Sequence, residues 1–181
     1  MGWMSSLFHK NRWTKATVLC LLALAPLLVS CTVRYAFNGA SIDYTKTKTI
    51  QIDNFPIRST YVWAPMQSIF QNRLTDVFAQ QTRLQQVKRG GDLILSGEIT
   101  GFDQYNKGIS SDGYSSQVQL KMTVNVRFTN TKKSSEDFEQ QFSATAEYDA
   151  TQQLVAVQEE LVTQMVKDIT DQIFNATVAN W

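Results

Sequence analysis

Between Val118 and Phe128 the chain alternates strictly. Val118, Leu120, Met122, Val124, Val126 and Phe128 are apolar, with Gln119, Lys121, Thr123, Asn125 and Arg127 between them. A period of two over this length predicts a strand with one buried and one wet face. Phe138, Phe142, Ala144, Ala146 and Tyr148 continue the period more weakly, interrupted at Gln140. The polar stretch from Asn130 to Asp137 links the two segments, which predicts an antiparallel hairpin. An earlier strand is expected from Asp92 to Phe102, opened by Gly90-Gly91 and carrying Leu93, Leu95 and Ile99 on one side. Gly97 and Gly101 share that side and mark places where a helix or a bend approaches the backbone. Ile50 and Ile52 indicate a further strand near Thr47 to Asn54. Tyr35, Phe37 and Ile42 indicate a short extended segment, with Asn38-Gly39 as a turn.

Helical periodicity appears twice. Met66, Ile69, Phe70, Leu74, Val77 and Phe78 fall on one stripe, opened by Pro65 at a first-turn position. A second stripe runs from Leu154 through Val157, Leu161, Val162, Met165, Ile169 and Ile173 to Ala176, on a helix of about 25 residues starting near Thr151. The polar faces carry mixed charge and are not lysine-rich, so both stripes face a core and not a membrane surface. The fold class predicted is α+β: a small, mostly antiparallel sheet with two helices packed on one face, a two-layer sandwich.

The N-terminal segment follows a different pattern. Lys10, Arg12 and Lys15 precede an apolar run from Ala16 to Leu28, and Leu28-Val29-Ser30-Cys31 closes it. A basic stretch, an apolar run and small residues before a boundary make up a secretory signal peptide. The run is about 13 residues, short of the roughly 20 that cross a bilayer. A cysteine at the boundary resembles the bacterial lipobox, which implies removal of residues 1–30 and acylation of Cys31. Acyl chains anchor stably because each buried CH2 contributes about 0.8 kcal/mol. The expected product is one domain, residues 31–181, held to a membrane by the lipid on Cys31.

Processing at this boundary removes much of the reactive chemistry. His9, the only histidine, and Cys20 leave with the leader, and Cys31 becomes the lipid attachment point. Catalytic triads of the Ser-His-Asp or Cys-His kind and ordinary zinc sites are then excluded, and no disulfide is available. The reading is non-enzymatic, with no cofactor beyond the covalent lipid. The full chain has 17 basic and 16 acidic residues, and the leader takes three of the basic ones, leaving a slight acidic excess. No basic stripe indicates nucleic acid as a partner.

Several segments together resemble the LptE-type lipopolysaccharide-assembly lipoproteins. Phe37-Asn38-Gly39-Ala40-Ser41-Ile42 follows the lipobox, and a helix follows Phe55-Pro56. Gly91-Asp92-Leu93-Ile94-Leu95-Ser96-Gly97-Glu98-Ile99, Phe128-Thr129-Asn130-Thr131 and Asp137 to Ser143 come next, and Asp171-Gln172-Ile173-Phe174-Asn175 lies near the end. None is specific alone; their order and spacing carry the likeness, to the branch without a long polar tail. The resemblance implies an outer-membrane lipoprotein on the periplasmic side. It implies a plug and folding partner inside the lipopolysaccharide-inserting β-barrel (LptD-like) that also contacts lipopolysaccharide. An adaptor of another envelope machine is the competing reading.

The resemblance also points to a loop between central strands, here Asp103 to Ser116, with Tyr105, Lys107 and Tyr114. Lys107 is its only basic residue, and the family's second basic position has no counterpart. The loop either reaches barrel or glycolipid or is a solvated tip. Arg127 on the wet face of the alternating strand is a fourth candidate contact. Lys132-Lys133 and Lys88-Arg89 read as polar turns, and Asp103 with Asp112 is a weak cation pair. Trp181 either docks or frays.

Overall fold

A computed structural model describes residues 42–109 and 115–178. Cys31, Tyr35, Phe37, Asp112, Tyr114 and Trp181 lie outside the described residues. The order of elements is β1 (Thr49–Ile52), α1 (Ala64–Gln81), β2 (Gln85–Gln86), β3 (Leu93–Ile109), β4 (Ser115–Asn130), β5 (Phe138–Asp149) and α2 (Leu154–Thr177). The strands form one sheet in the order β2-β1-β3-β4-β5.

β3, β4 and β5 form an antiparallel meander, with Val124 facing Ile99 on one side and Phe142 on the other. The other half differs from the mostly antiparallel expectation. β1 runs parallel to both β2 and β3, so the sheet is mixed. The cause is α1, which follows β1 and carries the chain back to the end where β1 began; a strand–helix–strand passage makes parallel neighbours. After β1 the chain still tracks β3, with the Asp53 N–H donating to Leu95 O and the Ile99 N–H to Pro56 O.

Both helices cover one face, as the stripes predict. Tyr61, just before α1, bonds Gln158 near the start of α2, and Phe78 packs edge-on against Phe174 near both ends at 5.4 Å. The helices therefore run side by side in the same direction. Their buried stripes meet the inner residues of the sheet, among them Leu95, Ile99, Leu120, Met122, Val124 and Val126, all fully buried. Each such side chain contributes roughly 1.5–3 kcal/mol by leaving water.

Two local features complete the core. The register of β3 slips between Ile99 and Gly101, where Thr100 is an extra residue. A bulge reverses the alternation beyond it. Phe102 then enters the core opposite Met122, while Gly101 pairs with Thr123 on the outer face, not on the side of Leu93 where simple alternation places it. Gly97 stays inside. A Cβ there would stand 2.6 Å from the Phe55 ring and 2.1 Å from Asn125 O. Only glycine admits Phe55, which packs on Phe70 at 5.1 Å.

Asp92 ties the starts of β1 and β3 to the turn after β4. Its carboxylate accepts the backbone N–H groups of Lys48 and Thr49 and the Thr49 hydroxyl, and it pairs with Lys132 at 2.9 Å. The backbone N–H of Lys48, then the Lys132 ammonium, hold this carboxyl well below the usual carboxylate range. The Asp92 carbonyl in turn accepts from Thr131.

Candidate functional site

Among the described residues, helices cover only the inner face of the sheet. The outer face of β3, β4 and β5 carries the side chains that alternate with the core, and they are polar almost throughout. On β4 these are Gln119, Lys121, Thr123, Asn125 and Arg127; on β5 they are Glu139, Gln141, Ser143, Thr145 and Glu147. The physical origin is the period of two itself, since a strand buried on one side sends every second residue to the other.

Cross-strand pairs knit this surface at both ends. Arg127 places Nη2 2.8 Å and Nε 3.1 Å from Glu139 Oε2, while Asn125 Nδ2 donates to Glu139 Oε1 at 3.0 Å. The guanidinium and then the Asn125 amide lower the Glu139 carboxyl, and the same carboxylate raises Arg127. At the other end Lys107 bonds Glu147, which also accepts from Gln119 Nε2 at 3.3 Å. Tyr105 stands directly opposite Gln119 and is half exposed. With Arg127 and Lys107 each paired to a glutamate, the face offers many hydrogen-bonding groups.

The segment read as a loop is mostly strand. β3 continues to Ile109 and β4 begins at Ser115, so Tyr105 and Lys107 sit on a β-hairpin in register with Gln119 and Gln117. Only residues 110–114, including Tyr114, fall between the two strands. The misreading has a clear cause: Asp103 to Lys107 are all exposed, so no apolar alternation announces the strand. Tyr105 and Lys107 are brought together on the outer face. Arg127 shares that face but lies eight residues from Gln119 along β4, roughly 26 Å at strand spacing. The candidate contacts therefore form two poles of one surface.

The pairing of Arg127 with Glu139 and the part played by Glu147 were not legible in the sequence pattern. The turn length between Phe128 and Phe138 sets the register and carries the signal that pairs Arg127 with Glu139. Lys132 and Lys133 pair with Asp92 and Glu136 and belong to the turn, as expected. Among the described residues no group of His, Cys, Asp or Glu is arranged to hold a metal ion. No described helix is long and apolar enough to cross a membrane.

Comparison with known proteins agrees with this architecture. The rare lipoprotein B from Shewanella oneidensis superposes with a TM-score of 0.52 at 13% identity, covering 74% of this chain and 96% of that one. A minor lipoprotein from Acinetobacter baumannii gives 0.51 at 13% identity, covering 74% and 94%. A hypothetical protein from Chlamydia trachomatis gives 0.50 at 9% identity, covering 74% and 99%. At such identities the likeness establishes the fold. No curated protein matches significantly by sequence. The family model for LptE, described as lipopolysaccharide-assembly, matches residues 47–177, from the approach to β1 to the end of α2. The chain belongs to the LptE family.

Proposed function

We propose that this chain is a non-enzymatic outer-membrane lipoprotein, anchored through acylated Cys31 on the periplasmic side. It partners the β-barrel that inserts lipopolysaccharide into the outer leaflet and sits in its lumen as a plug. Family membership supports the role in lipopolysaccharide assembly. The observation that carries the plug reading is the sheet face that no described helix covers. It is broad and polar, carries ion pairs at both ends and is backed by a buried core, and the lumen of a large outer-membrane barrel is itself polar. The face meets the barrel through many hydrogen bonds and few strong ion pairs. Tyr105 and Lys107 contact barrel or lipopolysaccharide at one pole, together with Tyr114, and Arg127 contacts the wall at the other.

Co-purification after mild detergent extraction tests this reading. Recovery of a large outer-membrane barrel protein in about equal amount is expected. Recovery of a cell-wall enzyme or another envelope complex without the barrel contradicts it and establishes the adaptor reading.

A further inference from the structure

Among the described residues no strand lies beyond β5, so this strand forms one edge of the sheet over roughly 40 Å. The ladder fixes which of its backbone groups face outward. Thr100 Oγ1 donates to Thr123 O at 3.4 Å, and Asn125 O stands against Gly97, so both β4 carbonyls turn toward β3. Directly opposed antiparallel residues either exchange both hydrogen bonds or turn both groups apart. Thr123 faces Ser143 and Asn125 faces Gln141. Glu139, Gln141, Ser143, Thr145 and Glu147 therefore turn their backbone N–H and C=O away from β4. The Gln172 side chain of α2 donates to Ser143 O at 3.3 Å, in keeping with a carbonyl on the outer side.

Natural sheets blunt such an edge with lysine, proline, a bulge or a very short strand. The opposite edge uses the last device, since β2 has only two residues. β5 uses none of them. It has no lysine or proline, and its register with β4 runs without a slip. We propose that this edge receives an extended segment of the partner barrel protein as a further strand, main chain to main chain. The inference rests on the plug reading and adds the mode of contact.

Charge gives the chemistry of that segment. Gln140 to Ala146 are uncharged, and the last four of them are small. Glu136, Asp137 and Glu139 precede this stretch and Glu147 and Asp149 follow it, with no lysine or arginine between Ser134 and Val166. Arg127 and Lys107 meet Glu139 and Glu147 from within the sheet. Cations on an added strand meet these acids from the other side, and opposite charges across strands are favourable. The complement is a neutral stretch of matching length between lysines or arginines.

Amide hydrogen exchange on the parent, free and in the complex with the barrel that co-purifies with it, tests the pairing. The Gln141 and Thr145 amides are expected to exchange rapidly in the free protein and about tenfold or more slower in the complex. A photoreactive residue at Ser143 is expected to crosslink to a barrel segment whose neutral stretch is flanked by basic residues. Thr145→Pro removes one outward N–H without breaking a bond to β4, and Thr145→Val keeps that N–H. Barrel recovery is expected to fall about tenfold with Thr145→Pro and to hold with Thr145→Val. Unchanged exchange in the complex, equal recovery with both variants, or a Ser143 adduct to a segment without flanking basic residues overturns the added strand and leaves the plug reading standing. Purification of the parent without any barrel overturns both.

Discussion

Arg127 and Glu139 stand directly opposite one another on β4 and β5, and two guanidinium nitrogens share one carboxylate oxygen at 2.8 and 3.1 Å. The pair is solvent-exposed, so water and salt screen it and it adds little to folding. Its importance lies in what it does to the surface, removing a net charge from one pole of the outer face. Arg127→Glu then sets two carboxylates face to face, which is unfavourable in a cross-strand pair. The melting temperature is expected to fall only slightly and recovery of the barrel partner to fall modestly. The exchange Arg127→Glu with Glu139→Arg restores both, measured by thermal melting and by co-purification ratio.

Val124 lies at the centre of the inner face, fully buried between Ile99 and Phe142. Val124→Lys places a charge where no partner or water is available, at a cost of about 3 kcal/mol or more. Loss of cooperative thermal unfolding is expected by circular dichroism. Thr145→Lys, on the exposed face of β5, is expected to melt close to the parent.

Gly97→Ala tests the contact with Phe55. The added methyl overlaps both the Phe55 ring and the Asn125 carbonyl of the neighbouring strand. A loss of about 1–3 kcal/mol is expected from overpacking, read as a lower urea midpoint with an unchanged slope.

Asp92 supplies a pH dependence. Its carboxyl is lowered in the folded protein, so the unfolded chain binds its proton more readily. The resulting stability is fully present above the unfolded value near 4 and is lost as pH falls below it toward the folded value. Asp92→Asn is expected to be less stable at pH 7 and to lose less stability than the parent between pH 5 and pH 2. Urea titrations across that range read the difference.

The helices and the meander were legible because each buries one face, and burial writes its period directly into the sequence. Met66, Phe70, Leu74 and Val77 announce α1, and the residues from Val118 to Phe128 announce β4 before any partner is known. What stayed hidden depends on contacts distant in sequence. The two-residue β2 has no buried position to mark it, and its place beside β1 follows from the passage through α1. The bulge at Thr100 is a misfit between strands and leaves no trace in one strand's pattern. The outer face was readable as wet, and the pairing that neutralises it emerged only with the register.

Acylation of Cys31 is tested by labelling cells with palmitate. Incorporation is expected in the parent and absent in Cys31→Ser, which retains its leader. Equal labelling of both contradicts the lipobox reading.

In-cell photo-crosslinking tests the plug reading most directly, with the photoreactive residue placed in turn at Lys107 and Gln141 on the outer sheet face and at Thr163 on the exposed side of α2. The account predicts adducts with a large outer-membrane barrel protein from Lys107 and Gln141, Lys107 also reaching lipopolysaccharide. An anchored, folded protein that gives no barrel adduct from either sheet position, or gives one from Thr163 alone, would contradict it.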